Sequence, residues 1–183
     1  MLFDFYVLDI YTKCGTFTAN PLEMKKIFQL VLLLIVVSSC TEDVKFNNPA
    51  FQALKDNVFW RATSFKAYTN SNGSLAIEGD LGFEKVILRT PSSVAQIYIL
   101  GIDDNSTASY SNTLPSQVED FYTGTNVGSG QIEITELNLE NKTISGTFKF
   151  SAMNEDETNT DKPKVNFKEG VFYKIPIVLT NNF

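Results

Sequence analysis

Hydrophobic and polar residues alternate over ten consecutive positions in the segment TISGTFKFSA, residues 143–152. Ile144, Phe148 and Phe150 share one face with a glycine and an alanine, whereas threonine, serine and lysine occupy the other face. Successive side chains of a β-strand point to opposite faces, so this pattern predicts an antiparallel strand with one buried face and one wet face. We expect the three large residues to belong to the core.

Shorter segments repeat this period of two. Leu75 and Ile77 fall on one face of SLAIEG, and Val86 and Leu88 fall on one face of EKVILRT. In QIEITELNL the alternation begins with two isoleucines and then shifts phase to two leucines, which predicts a β-bulge.

Turn signals and apolar runs predict further strands. FQALKDNVFWRATSFKAY is expected to form two strands around a turn at Lys55–Asn57, because Asp and Asn tolerate turn backbone. VAQIYILG is apolar on both faces, which predicts a covered central strand. The last segment, GVFYKIPIVL, contains Pro176, and a proline without an N–H predicts an edge strand.

No long segment carries apolar residues at helical spacing, and strand-forming residues are frequent beyond the first forty positions. About nine short strands separated by turn residues are typical of an antiparallel β-sandwich or, as the alternative, a β-barrel. We therefore predict one all-β domain at residues 50–183, with the β-sandwich preferred. A domain of this size needs no metal or disulfide to fold.

Residues 24–39, MKKIFQLVLLLIVVSS, follow a different pattern. Lys25 and Lys26 supply a positive start, Ile27 to Val37 is apolar apart from one glutamine, and two small residues follow. This order is typical of a secretory signal peptide. The apolar run is too short for a membrane-spanning helix, which needs about 20 residues.

The end of this signal, Val37-Ser38-Ser39-Cys40, resembles the bacterial lipobox. The resemblance implies that the Cys40 thiol is diacylated, that the chain is cut before it, and that residues 40–49 form the lipidated cysteine and a tether. Two or three acyl chains hold a protein firmly at a membrane, since each buried CH₂ contributes about 0.8 kcal/mol. The alternative is an ordinary signal peptide with a coincidental cysteine.

Residues 1–23 fit no part of a signal peptide, because Asp4, Asp9 and Glu23 put negative charge where a signal is positive. We interpret this segment as an over-extended start, with translation beginning at Met24. The alternative is a structured N-terminal extension in which FDFYVLDIY forms a short strand.

Charge and residue counts argue against several functions. The chain carries 15 Lys+Arg against 21 Asp+Glu, and a net charge of −6 opposes binding to nucleic acid and to anionic lipid. The membrane contact would therefore be covalent. There is no histidine, and Cys14 and Cys40 are the only cysteines, so we expect no disulfide, cysteine nucleophile or thiolate metal site in residues 41–183. We also expect no cofactor.

Two acidic loops are candidate calcium sites. Asp103–Asn105 lacks the glycine and glutamate that an EF-hand loop needs at its sixth and twelfth positions. Glu155–Asp161 could bind Ca²⁺ through carboxylates, although such a charge run is usually a solvated loop. Paired carboxylates could serve glycoside hydrolysis, but no pair stands out. Trp60 could stack on a sugar, although we expect it in the core.

Five segments lie in this order behind the lipobox: FQALKDNVFWRAT, LAIEG, GQIEITELN, ISGTFKFSA and GVFYKIPI. Over most of residues 46–177 they resemble a family of small Bacteroidota outer-membrane lipoproteins that carry one domain of unknown function. The resemblance implies export and a β-rich fold, and it brings no known catalytic residue. One departure is Asn57, where the family pattern has glycine. The matching positions are mostly core and turn residues, namely Phe51, Ala53, Trp60, Ala62, Ile144, Ser145, Gly146, Phe148 and Phe172.

These observations favour a lipid-anchored envelope protein with a non-enzymatic binding or structural role. A surface glycan-binding accessory protein is the alternative, and a carboxylate-based hydrolase is the third hypothesis. We expect the partners to be the membrane, through the lipid anchor, and a glycan or an envelope protein, but not nucleic acid.

The expected location is the outer membrane, with the membrane face undecided. Glu42 and Asp43, just after the cysteine, resemble the signal that sends Bacteroidota lipoproteins to the cell surface. Two acids in a polar tether can also simply keep it solvated. The ligand and the oligomeric state stay open.

Overall fold

A computed structural model describes residues 48–180 of the chain. Within this range the regular structure is entirely β, and no helix long and apolar enough to cross a membrane occurs in it. The strands are β1 (Ala50–Lys55), β2 (Val58–Arg61), β3 (Ser64–Thr69), β4 (Leu75–Leu81), β5 (Glu84–Thr90), β6 (Ile97–Leu100), β7 (Thr107–Asn112), β8 (Glu119–Tyr122), β9 (Ser129–Asn138), β10 (Thr143–Asn154) and β11 (Lys164–Leu179). The all-β prediction is confirmed, with eleven strands in place of about nine.

The strands form one hydrogen-bonded sheet that folds over into two layers. The first layer has the order β6-β9-β10-β11-β1-β2, and the second has the order β3-β4-β5-β7-β8. Two corners join them. At one corner Ile177–Leu179 of β11 runs parallel to Ala67–Thr69 of β3, and at the other Met153 of β10 pairs with Tyr122 of β8. The parallel corner makes the sheet mixed, whereas we expected antiparallel pairing throughout. Two layers joined at corners fit the predicted sandwich better than a regular barrel.

Aromatic side chains fill the space between the layers. The ring of Phe51 stacks on Phe148 at 5.1 Å, and the ring of Phe150 stacks on Phe167 at 4.7 Å, all within the first layer. Tyr110 of the second layer lies 5.5 Å from Phe167, so the ring contacts continue across the core. Burial of this apolar area is the main source of stability in such a domain.

The strand predicted from TISGTFKFSA forms β10 with the expected phase. Ile144, Phe148 and Phe150 are buried, and Thr147 is exposed. Gly146 lies where no side chain fits, because an added Cβ would come within 2.1 Å of a backbone carbonyl oxygen of β9.

The predicted bulge is present in β9. Ser145 of β10 pairs with Glu136 and Gly146 pairs with Ile134, so Thr135 is the extra residue of β9. Ile132 and Ile134 are buried on one side of this bulge. The change of apolar phase in the sequence therefore marks a real irregularity of the strand.

The first turn agrees with the sequence prediction, although FQALKDNVFWRATSFKAY forms three strands, β1, β2 and β3, in place of the expected two. β1 and β2 form a hairpin around Asp56 and Asn57, whose φ angles of 47° and 69° are the two positive values that a type I′ turn requires. Asn tolerates this backbone. The Asp56 carboxylate accepts hydrogen bonds from the backbone N–H and the side-chain amide of Asn166, which ties the turn to β11.

The prediction for VAQIYILG is wrong. The segment forms β6, which pairs only with β9 and lies at the edge of the first layer. Its alternate residues Tyr98 and Leu100 are buried, whereas Ile97 and Ile99 are about half exposed, at 52% and 49%. The apolar run therefore has one buried face and one exposed face.

The prediction that Pro176 marks an edge strand is also wrong. β11 pairs with β10 along one edge and with β1 and then β3 along the other. The N–H of Ile177 donates towards β10, to the carbonyl of Lys142, so the nitrogen of Pro176 faces the opposite edge. There the pairing with β1 ends at Tyr173 and the pairing with β3 begins at Ile177, so no N–H is needed between them.

Candidate functional site

The first acidic loop is held closed by its own carboxylates. Asp103 accepts hydrogen bonds from the backbone N–H of Asn105 at 3.0 Å and from its side-chain amide at 2.7 Å. These hydrogen bonds lower the pKa of Asp103 below its ordinary value. Asp104 accepts from the backbone N–H and the hydroxyl of Thr125, at 2.8 and 3.0 Å. Asp103 therefore stabilises its own loop, and Asp104 ties this loop to the one that joins β8 to β9.

The second acidic loop is also organised by local hydrogen bonds. Asp156 accepts from the N–H and the hydroxyl of Thr158, and these bonds lower the pKa of Asp156. A carboxyl group with a lowered pKa is charged at neutral pH, so it can accept hydrogen bonds but is a poor proton donor. Lys162 of the same loop forms an ion pair with Glu119 at 2.5 Å. Among residues 48–180, no three carboxylates converge as a metal site would require.

A cleft of about 420 Å³ opens between this loop and the loop that joins β8 to β9. Tyr122 and Met153 lie opposite each other in the β8–β10 pairing and are 41% and 38% exposed, so they supply its apolar part. Asn126, Asp156 and Glu157 supply polar groups. A partly apolar cleft with a few polar groups is the usual form of a small-ligand site.

The second acidic loop contributes to this cleft only in part. Asp156 and Glu157 line it, whereas Glu155 and Asp161 do not. Asn154 supports the lining, because its side chain accepts from the N–H of Asp156 and donates to the carbonyl of Lys162. Of the predicted site residues, the structure thus brings two carboxylates to the cleft, and Tyr122 and Met153 join them without having been predicted from the sequence.

Trp60 lies in the core, as expected, and is 2% exposed. Its indole N–H donates to a carboxylate oxygen of Glu84 at 2.6 Å. The other oxygen of Glu84 pairs with the ammonium of Lys55, which also lies 3.0 Å from the hydroxyl of Tyr110. Burial, and then the charge of Glu84, raises the pKa of Tyr110 above its ordinary value.

These four side chains form a polar clamp between the layers, since Lys55 and Trp60 belong to the first layer and Glu84 and Tyr110 to the second. Lys55 and Glu84 are only 20% and 22% exposed, so each needs the other as a counter-charge. The clamp uses its ionisable groups for structure, and it was not visible in the sequence because its members lie far apart along the chain.

The signal and lipobox residues Val37, Ser38, Ser39 and Cys40, and the acids Glu42 and Asp43, lie outside the described residues. Their predicted roles therefore rest on the sequence alone.

The strands and their pairing thus make this protein a two-layered all-β domain. Residues 47–176 match the family model of a domain of unknown function, DUF6252. The match covers most of the chain, and the chain belongs to this family. Comparison with curated proteins and with solved structures gave no match.

Proposed function

We propose that this protein is a lipid-anchored lipoprotein of the bacterial outer membrane, of the Bacteroidota type, whose β domain has a non-enzymatic binding or structural role. The observation that carries the proposal is the order of segments along the chain. A complete signal and lipobox end at Cys40, the family domain begins at residue 47, and β1 begins at Ala50. The sorting signal therefore ends just before the folded domain begins.

The short tether supports a role close to the membrane. Nine residues separate Cys40 from Ala50, and an extended chain spans at most about 3.5 Å per residue. The domain would thus stay within about 30 Å of the lipid. A non-enzymatic role is supported by the use of ionisable side chains in structural contacts, as in the polar clamp and in Asp104.

The test of the lipid anchor is the variant Cys40→Ala. We expect it to leave the membrane fraction and to lose labelling by an alkyne-tagged fatty acid, because the acyl acceptor is gone. Ser39→Ala is the matched control, since it keeps a small residue before the cysteine and should label as the wild type does. Unchanged membrane partitioning of Cys40→Ala would refute the anchor.

The membrane face is tested with Glu42 and Asp43. We propose that they direct the protein to the cell surface, in which case proteinase K added to intact cells should digest it. Replacing both acids with alanine should protect it. If the wild type survives in intact cells and is digested only after lysis, the domain faces the periplasm.

A second candidate function, surface glycan binding, is favoured by one specific observation. Tyr122 presents its ring in the 420 Å³ cleft beside carboxylate and amide groups, which suits a ligand with an apolar sugar face and hydroxyls. Binding of envelope polysaccharides should weaken at least about tenfold in Tyr122→Ala. Phe59→Ala, at an exposed aromatic residue of β2, is the matched control and should bind normally. Equal binding by both variants would refute a glycan site in this cleft.

A further inference from the structure

An apolar groove lies at the end of the domain where β11 stops. Its volume is about 340 Å³, and its apolar side chains are Leu137, Leu139, Ile177 and Leu179. Leu139 is 78% exposed and Leu179 is 85% exposed, which are the two highest values among the large hydrophobic residues of the described range. Water-exposed leucines clustered at one groove are unusual on a protein that meets only water.

The chain enters the domain at this same end. β1 runs antiparallel to β11, and its first residue, Ala50, pairs with Tyr173. Residues before Ala50 therefore approach from the direction in which β11 continues to Ile177 and Leu179. Ile177 lies four positions beyond Tyr173, or about 13 Å further along the strand. Only seven residues lie between Cys40 and Asn48, the first described residue.

Charge is distributed unequally between this end and the far end of β10. The turns that reach the groove, residues 70–74 and 91–96, contain no charged side chain, and the turn 139–142 carries one acid and one base. The loop at the other end of β10, residues 155–161, carries four acids. The twelve residues of β10, which span about 36 Å from the first to the last, separate the two regions. Of these two regions, the groove end is the one that suits a lipid surface.

We propose that the groove end rests on the phospholipid bilayer, with Leu139 and Leu179 in the interface between headgroups and acyl chains. The inference rests on the proposed lipid anchor, which places the bilayer within reach. It adds an orientation for the anchored domain. The groove end contacts the lipid, and β10 and β11 extend from it away from the membrane plane. The acidic loop and its cleft then lie far from the lipid. The covalent anchor keeps the protein at the membrane, and the contact of the two leucines with lipid sets the angle between the domain and the bilayer.

The experiment uses the full lipidated protein in vesicles of equal parts phosphatidylcholine and phosphatidylethanolamine. With Cys40 acylated, Leu139→Cys introduces a single free thiol, which is labelled with an environment-sensitive fluorophore. Thr160→Cys, in the acidic loop, is the matched control. Nitroxide-bearing lipid should quench the label at position 139 several-fold more than the label at position 160. Adding Leu179→Asp to Leu139→Cys should abolish the difference while the protein still floats with the vesicles.

Equal quenching at positions 139 and 160 in protein that floats would overturn the orientation and leave the anchor intact. Labelling of the protein without an added cysteine would show that Cys40 is free, which would overturn the anchor and the orientation with it. A blue-shifted label at position 139 that lipid nitroxide does not quench would also overturn the proposal, in favour of a second copy of the chain covering the groove.

Discussion

Phe148→Ala is the sharpest test of the core, because the environment of this ring is defined on several sides. The side chain is 2% exposed and stacks on Phe51 at 5.1 Å and on Phe150 at 6.1 Å. It also covers Gly170, where even an added Cβ would come within 2.6 Å of the ring. Loss of the ring would leave a cavity bounded by stiff aromatic groups and backbone.

The magnitude follows from that environment. Phe→Ala changes in cores cost about 3–5 kcal/mol, and the cost rises when the site cannot collapse. Aromatic neighbours have few ways to move into the space, and Gly170 has no side chain to fill it, so we expect about 4 kcal/mol. With a urea dependence of about 2 kcal/mol/M, the unfolding midpoint should fall by about 2 M. This is a large share of the 5–15 kcal/mol that typically stabilises a domain.

The assay is urea titration followed by the fluorescence of Trp60, the only tryptophan of the chain, with circular dichroism as the second probe. Thr147→Ala is the matched control on the opposite face of β10. Its hydroxyl is exposed and makes one long hydrogen bond, 3.4 Å, to Glu133, so its loss should cost less than about 1 kcal/mol. Similar losses at the two positions would mean that the inward and outward phase of β10 is wrong.

Three further changes probe the clamp and the close approach of strands. The pKa of Tyr110 is raised in the folded protein, so above about pH 10 the unfolded chain loses this proton before the folded protein does. The free energy of unfolding should therefore fall as the pH rises. Tyr110→Phe should reduce this fall when urea midpoints at about pH 9 and pH 11 are compared. Glu84→Gln should cost about 2 kcal/mol by removing the counter-charge of Lys55, and Lys55→Met in the same chain should recover part of it; a double variant no more stable than Glu84→Gln alone would contradict the clamp. Gly146→Ala should cost at least about 2 kcal/mol, because the Cβ would lie 2.1 Å from the Glu133 carbonyl oxygen; a normal midpoint would show that the strands separate freely.

Local signals predicted the parts of the fold that depend on neighbouring residues. The period of two placed Phe148 and Phe150 inward, and the phase change near Thr135 located the bulge. Asp56 and Asn57 marked the hairpin because their backbone needs residues that tolerate positive φ. Each of these features is determined within a few residues of sequence.

Features that depend on pairing partners were not predictable in this way. β7 was missed because two of its three inward residues, Ala108 and Asn112, are small or polar, and β8 was missed because only Phe121 of its four residues is buried, so neither shows a clear alternation. β6 was placed centrally because a four-residue apolar strand has the same pattern whether a second strand covers it or not. Pro176 lies where the neighbour of β11 changes from β1 to β3, and no single segment of the sequence shows such a change of partner.

The candidate site was predicted least well, and for the same physical reason. Lys55 lies 29 residues from Glu84 and 55 residues from Tyr110 in the chain, so only the packing of two layers brings the clamp together. Tyr122 reaches the cleft through its pairing with Met153 at a corner of the sheet. The carboxylates Asp156 and Glu157 were predicted because a run of acids is visible without knowledge of the fold.

The separation of the cleft from the apolar groove bears on what the domain can bind. If the groove end meets the bilayer, the cleft beside Tyr122 lies near the far end of β10 and faces the aqueous side, where a soluble ligand can reach it. A lipid or an integral membrane partner would instead have to contact the groove end itself. With the proposed anchor at Cys40, a tether of about 30 Å would limit how far the groove end can move from the lipid, and this would favour separate roles for the two surfaces. Substitutions at Tyr122 should therefore affect ligand binding without changing lipid quenching at position 139, whereas Leu179→Asp should do the reverse.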